Sequence, residues 1–556
     1  MNSEFVHRFP LRRLAASFVA LIVAGSAYAQ DLATTEAATV GGEVVSAVMN
    51  AEPELVLTRE ARAFRTALET AGVSDSLFEY YEQNGFVPIW DESRKAALLD
   101  VLLSADEHGL PKDRYGIAEL AELFSDGSVA EAEAEIAAGK AFLTYARDVS
   151  SGLLEPRSVD RDIAIKPPRP EAVALLAELE ATTDVAGFFR ALAPAHPQYA
   201  KLQEELIRLK DIIAAGDWGA KVSGGPSIKA GNSSPRVVDI RSRLSRISGQ
   251  DYGDSPLYDD LLIEAVKAFQ LTHGLNDDGV AGPMTLEAIN ASAEDRLKQV
   301  LVNLERQRWL NVERGARHVY VNQADFSVSV IQDGETIFWS RTVIGKNKHR
   351  TQEFNDTMTH MVVNPTWHVP RSITTEEMLP KLKRNPGALG STYQVMTRNG
   401  TRVNPKFVNF SKFSQSNFPF IIKQKPGGGN ALGRVKFMFP NQYNIYLHDT
   451  PSKSLFNRDA RAYSHGCVRV QKPFELARVL LAPQSDNPDA LFQSVLNSGS
   501  ERHLNLEQPL PIYLSYNSAW VAEDGTPQYR ADIYGRDARV FQALENAGVS
   551  LGVVEG

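Results

Sequence analysis

Cysteine is nearly absent: Cys467 is the single one in 556 residues. One thiol can neither close an intramolecular disulfide nor build a multi-cysteine zinc or iron–sulfur site. Long apolar runs are missing too. The fullest, Leu14 to Ala24, falls short of the roughly 20 residues that cross a bilayer as a helix. Three further absences narrow the chemistry. No His-Glu-x-x-His pair marks a zinc hydrolase, Gly427-Gly428-Gly429 lacks the Gly-Lys-Ser/Thr ending of a phosphate loop, and Asp277-Asp278-Gly279 lacks the alternating oxygen ligands and distal Glu of a calcium loop. What is present is ordinary for globular protein: 43% apolar residues, with 59 Lys and Arg against 68 Asp and Glu for a formal charge of −9. Disorder throughout, collagen and coiled coil are excluded, and the length points to about three or four domains.

The first 29 residues read as an export signal: Arg8, Arg12 and Arg13 precede the apolar run, and Ala27-Tyr28-Ala29 forms a small-x-small cleavage site. The mature chain is expected to start near Gln30, with no transmembrane segment left and no cysteine to carry a lipid. Export makes nucleic acid an unexpected partner. It also makes a lone thiol a liability unless it is buried or reactive.

The rest reads as a multidomain α+β chain. Residues 54–218 are acidic with helical spacing, as in Ala61, Phe64, Ala67 and Leu68. Within them Tyr81, Phe86 and Trp90 are expected in the core rather than on a ligand-stacking surface. A Gly/Ser/Pro-rich linker follows, and then 233–292 carries three short helical faces: Val237, Ile240 and Leu244; Leu262, Val266 and Phe269; Leu286 and Ile289 after Pro283. From Arg317 the period changes to β-branched and aromatic runs broken by Asp333-Gly334 and Gly345-Lys346, the pattern of strands and turns. Residues 371–436 interrupt it as an insertion covering one face of the sheet, and 521–556 are read as a C-terminal tail. Charge is uneven. Residues 371–469 hold 16 Lys and Arg against four acids, a surplus that suits an anionic partner.

Chemistry concentrates in IYLHDTPSKSLFNRDARAYSHGCVRV, residues 445–470. A thiol becomes a nucleophile near neutral pH when a base or a cation stands beside it, so Cys467 would attack and His448 or His465 would activate it. Backbone N–H groups at Gly466 and Cys467 would face a developing oxyanion, glycine allowing close approach. Tyr446 lies two residues before His448 and shares its strand face. Two other readings stand beside this one: a buried, inert cysteine, and a zinc site of His448, His465 and Cys467.

His448, fifteen intervening residues and then Ser464-His465-Gly466-Cys467-Val468-Arg469 resemble the signature of the L,D-transpeptidase (YkuD-type) catalytic domain. The flanking NLERQRW (Asn303–Trp309), NPTWHVPRSI (Asn364–Ile373) and NALGRVKFMFPN (Asn430–Asn441) extend the likeness. The stretches RVVDIRSRL and EAVKAFQLTHGLNDDGVAGPMTLEAI resemble a three-helix peptidoglycan-binding module. Together they resemble the large periplasmic branch of that family: a helical scaffold domain over 54–218, the module over 233–292, and a β-rich catalytic domain over 303–520 with its capping insertion at 371–436. The resemblance implies Cys467 as nucleophile, His448 as base, and His465 and Gly466 shaping the oxyanion region with Tyr446 beside it; apart from the resemblance, Arg461 and Arg469 are expected to hold stem carboxylates, with bracing of the loop the alternative for Arg469, and Ser464 and Trp367 are further expected substrate contacts. It implies no metal and no cofactor, peptidoglycan stem peptides as partners, and 3→3 cross-linking with release of D-alanine. Carboxypeptidase action, wall-protein attachment and a non-catalytic murein-binding scaffold are the alternatives.

Overall fold

A computed structural model describes residues 57–125 and 131–552. The expected signal peptide lies outside the described residues. By contacts the chain divides into Met1–Arg62 and Ala63–Gly556, and every element below belongs to the second unit. No helix among the described residues is long and apolar enough to cross a membrane.

The acidic region is built of helices, the longest being Glu131–Ser151 and Pro197–Ala214. Tyr81, Phe86 and Trp90 are core residues. A buried carboxylate organises them: Glu135 accepts from the Tyr81 hydroxyl and the Ile89 N–H at 2.6 Å and from the Trp90 N–H at 3.1 Å. The three helices Pro235–Ser248, Asp260–Thr272 and Pro283–Asn290 enclose a separate small core containing Val237, Ile240, Leu262, Val266 and Ile289. The motif residues of this module are structural. The Gln270 amide donates to Asp278 Oδ1 at 3.0 Å, Val280 O at 3.1 Å and Thr285 Oγ1 at 3.2 Å, tying the acidic turn to the third helix. Arg241 is buried and donates to the carbonyls of Tyr252, Ser255 and Leu257, supplying acceptor-rich turns with donors that their own backbone lacks.

The helix Ala293–Trp309 starts from a capping box between Ser292 and Asp295 and carries the Asn303–Trp309 motif. Each polar residue of that motif ties a different part of the chain. Asn303 exchanges hydrogen bonds with Ser518 at 2.8 and 3.1 Å, and Arg306 pairs with Asp537 at 2.6 Å. Glu305 accepts from Leu154 N at 2.8 Å, Leu153 N at 3.2 Å, Arg308 Nη1 at 2.7 Å and Trp309 Nε1 at 3.0 Å.

The β-rich part has strands β1 (Arg317–Asn322), β2 (Ser327–Gln332), β3 (Glu335–Gly345), β4 (Phe354–Val363), β5 (Trp367–His368), β6 (Tyr393–Met396), β7 (Arg402–Val403), β8 (Ile421–Gln424), β9 (Val435–Met438), β10 (Leu447–His448), β11 (Ala462–Ser464), β12 (Val468–Val470), β13 (Arg502–Ser515), β14 (Ala519–Val521) and β15 (Pro527–Tyr529). Nine of them form one sheet in the order β11-β3-β12-β10-β9-β4-β13-β1-β2, and β2 also pairs with β3, so the ladder returns on itself. Its interior is filled by alternate residues, including Val319, Val328, Met361, Phe437, Leu447, Val468 and Ile512.

Two expectations need correction. The insertion builds its own four-stranded sheet, β5-β8-β6-β7, over a core of Ile373, Leu382, Phe410, Phe418 and Ile422. It therefore begins at Trp367 rather than at residue 371, and Val435 and Lys436 belong to β9 of the main sheet. The expected tail is built into the fold over its described residues, 521–552: they supply the end of β14, the strand β15 and the helix Arg536–Asn546, with Arg536, Val540 and Leu544 buried.

Glu305 and Arg308 are both sealed from solvent. Glu305→Ala leaves the guanidinium and two backbone donors without their acceptor, and should destabilise the protein by about 3–5 kcal/mol in urea denaturation. A loss below about 1 kcal/mol would show that this network contributes little.

Candidate active site

Strands β10 and β12 run parallel with Leu447 opposite Val468 and His448 opposite Arg469. Leu447 and Val468 are both core residues of the sheet interior. Side chains alternate along a strand, so their neighbours Tyr446, His448, Cys467 and Arg469 all emerge on the other face. Antiparallel β9 places Lys436 opposite His448 on its other side. The result is a row Lys436–His448–Arg469, with Tyr446 and Cys467 paired one step along.

His448 is buried, and its Nδ1 lies 2.5 Å from Asp449 O. A carbonyl can only accept, so Nδ1 carries the hydrogen and Nε2 keeps its lone pair. Burial first, and then the flanking positive charges of Arg469 and Lys436, push this histidine down to about 3. It is neutral at any ordinary pH. Asp449 is itself fixed, its carboxylate accepting from Lys453 Nζ at 2.7 Å, Thr450 N at 2.7 Å and Arg434 N at 2.9 Å.

The Cys467 side chain is half-buried, and its Sγ lies 3.6 Å from Asn444 O. No hydrogen bond joins it to His448 among the described residues. Burial pushes the thiol up, opposed by the Tyr446 N–H and hydroxyl and by the charges of Arg469 and Lys436. The Tyr446 ring packs 5.7 Å from His448, and Lys436 Nζ lies 5.5 Å over its face. Arg469 donates to no protein acceptor among the described residues, and its Nε is buried without a partner.

The loop before Cys467 is held from inside. Gly466 sits at φ +114°, which favours glycine, and its N–H donates to Ser464 Oγ at 3.1 Å. Ser464 Oγ in turn donates to Cys467 O at 2.5 Å. Ser464 is thus buried and bonded within the loop rather than facing a ligand, and the Gly466 N–H is already taken. His465 turns outward: its Nε2 meets Glu377 Oε1 of the insertion at 2.7 Å and Lys346 Nζ at 3.3 Å, while its ring lies 4.9 Å from that of His349. Arg461 points away from the row. It is buried over Phe326 at 5.0 Å, donates to Arg458 O at 2.9 Å and Asp325 O at 3.2 Å, and is pushed down to about 10 chiefly by burial. Trp367 packs against the core of the insertion. The expected substrate contacts therefore reduce at this face to Arg469.

No three His, Cys, Asp or Glu side chains among the described residues are arranged to hold a metal ion, so the zinc alternative has no geometry behind it. The sequence reading missed Lys436. Its signal was present in Val435-Lys436-Phe437, where alternation alone sets the lysine on the face opposite two core residues.

The sequence matches the L,D-transpeptidase catalytic domain over residues 316–496, a domain described as "Putative peptidoglycan binding domain" over 233–289 and a scaffold domain over 75–206. It is similar to a Haemophilus influenzae protein described as "Putative L,D-transpeptidase", at 33% identity over 259 residues, 46% of this chain and 52% of that protein. The chain thus spans about half the length of this curated relative. Solved L,D-transpeptidases of Xylanimonas cellulosilytica and Stackebrandtia nassauensis align at 13% and 14% identity, over 52% and 54% of this chain and 98% of each of theirs. Their TM-scores are 0.16 and 0.21, values at which neither likeness bears on the fold or the function.

A neutral imidazole beside a protonated thiol predicts a particular pH dependence. Alkylation of Cys467 by iodoacetamide should climb steadily into the alkaline range, because burial raises the thiol. A plateau of reactivity between about pH 5 and 8 would instead reveal a thiolate–imidazolium pair. Stability should also respond. The folded state refuses a proton on His448 that the unfolded chain accepts below its ordinary value of 6.5, so stability is complete above that value and falls as pH drops toward about 3. His108 and His196, pushed down to about 4 by burial, act in the same direction. Melting temperature measured from pH 7 to pH 4 should decline, and His448→Gln should make the decline shallower.

Proposed function

Because the chain carries an L,D-transpeptidase catalytic domain behind scaffold and peptidoglycan-binding domains, we propose that it is a cysteine acyltransferase forming 3→3 cross-links between peptidoglycan stem peptides. It does so in the periplasm, reached through the export signal read at residues 1–29. The observation that carries the reading is the row in which a thiol, a neutral imidazole with a free lone pair and two cations share one face of adjacent strands.

The donor is a tetrapeptide stem. Sulfur attacks the carbonyl of the third residue, diaminopimelate, as the thiol proton passes to His448 Nε2. A carbon–sulfur bond forms, and the carbonyl electron pair becomes an oxyanion. Collapse breaks the carbon–nitrogen bond to the terminal D-alanine, whose nitrogen takes the proton from His448, and a thioester remains. A side-chain amine of a neighbouring stem then attacks the thioester and yields its proton to His448. The carbon–sulfur bond breaks, and the departing thiolate recovers the proton. The Tyr446 hydroxyl and the Cys467 N–H donate to the oxyanion, and Lys436 and Arg469 draw in the carboxylates of the stem. Sulfur reaches the imidazole by rotating away from Asn444 O, since hydrogen bonds of this kind often tighten when substrate binds.

The insertion acts as a lid that favours amine over water at the thioester. Its Glu377 meets His465 at 2.7 Å and its Glu376 meets Lys348 at 3.1 Å, so it is anchored at the rim of the catalytic loop. That gives His465 a lid-holding role, distinct from the base. The 233–292 module would hold the enzyme on its polymer.

Mass spectrometry of the purified protein with tetrapeptide-bearing muropeptides tests the reading. The wild type should gain a stem-peptide acyl group on Cys467 and yield cross-linked dimers. Cys467→Ala should yield neither while still pelleting with murein, and His448→Gln should slow acylation at least about a hundredfold. Dimers from Cys467→Ala would refute the assignment. Tripeptide alone as product would make the protein a carboxypeptidase.

A further inference from the structure

The carbonyl of Gly466 accepts a hydrogen bond from Thr351 Oγ1 at 2.7 Å, and Thr351 is sealed from solvent. A trans peptide unit is planar, with its carbonyl and its N–H pointing in opposite directions. Anchoring the Gly466 carbonyl on the inner side therefore turns the Cys467 N–H outward. That N–H donates to no acceptor among the described residues, whereas the Gly466 N–H is spent on Ser464 Oγ at 3.1 Å. Cys467 thus carries a backbone donor that no protein acceptor among the described residues takes, and one hydroxyl sets its direction.

Thr351 is held in turn. Its Oγ1 accepts from the Gly345 N–H at 3.0 Å, which leaves the hydroxyl hydrogen to point at Gly466 O. Its carbonyl accepts from Arg536 Nη2 at 2.7 Å and its N–H donates to the Tyr534 hydroxyl at 3.4 Å, while that hydroxyl donates to Gly345 O. Gly345 must be glycine, because a Cβ there would fall 2.0 Å from His349 O. Tyr534 and Arg536 belong to the C-terminal segment, and Arg536 is fixed by Glu353 at 3.1 Å in a buried pair.

We infer that Thr351 is a positioning residue for acyl transfer: through the Gly466–Cys467 peptide it aims the Cys467 N–H at the oxyanion, and the C-terminal Tyr534 and Arg536 hold it in register. This rests on Cys467 being the attacking thiol. The function of the C-terminal segment is then to fix the geometry of a loop nearly seventy residues earlier in the chain.

The test separates oxyanion stabilisation from general loop integrity. Thr351→Val keeps the shape and removes the hydroxyl. It should lower kcat for acylation by the tetrapeptide donor by about a hundredfold, the scale of losing an oxyanion donor, with KM unchanged. Alkylation of Cys467 by iodoacetamide develops no oxyanion and should keep the wild-type rate. Thr351→Ser should restore acylation, and Tyr534→Phe, which loosens the brace without touching the loop, should show the same split with a smaller loss. Acylation of Thr351→Val at the wild-type rate would overturn the inference. So would a parallel fall in acylation and alkylation, in this variant or in Tyr534→Phe should Thr351→Val not fold. A wild-type protein that takes no acyl group from the donor would sink the reading of Cys467 itself, and this inference with it.

Discussion

Two short adjacent strands impose the constraint from which the site follows. Leu447 and Val468 fill the interior of the sheet, and a period of two leaves their neighbours no choice but to face outward together. A histidine and an arginine on the two strands thereby converge with the tyrosine and the cysteine that immediately precede those strands. The register also sets the electrostatics. His448 stands between Arg469 and Lys436 and is buried, and both effects oppose a second proton on the ring. Burial likewise opposes ionisation of the thiol. The resting pair is neutral on both sides and is not a preformed ion pair.

A second level of order holds the loop that carries the cysteine. Ser464 closes it from within, Thr351 ties it to the end of β3, and the C-terminal segment secures Thr351. The helix Ala293–Trp309 does the same for the larger pieces: its Glu305 collects backbone donors of the scaffold region while Arg306 takes the carboxylate of Asp537. Buried charges are costly to leave without a partner, so these contacts couple the scaffold region and the C-terminal segment to this helix, alongside its buried Leu297, Val300, Leu301 and Leu304.

The basic surplus between 371 and 469 resolves into several roles. Arg371 donates to Phe418, Gln415 and Ser416 carbonyls inside the insertion, and Arg461 braces the turn near Asp325. Others lie on open surface. Lys436 and Arg469 alone flank the histidine, so a count of charges located the neighbourhood of the site but not its members.

Periodicity and composition were enough to mark the helical region, the three-helix module, the β-rich domain and the segment 445–470 with its thiol and histidines, because each depends on residues close in sequence. The strand alternation around Leu447 also placed Tyr446 with His448. Long-range pairing was out of reach. Nothing local shows that β12 lies beside β10, that Lys436 belongs to the main sheet, that Ser464 and Arg461 turn inward, or that residues 521–552 return to brace the loop at Gly466. Those facts depend on which strands meet and which buried groups find partners, and only the folded chain decides that.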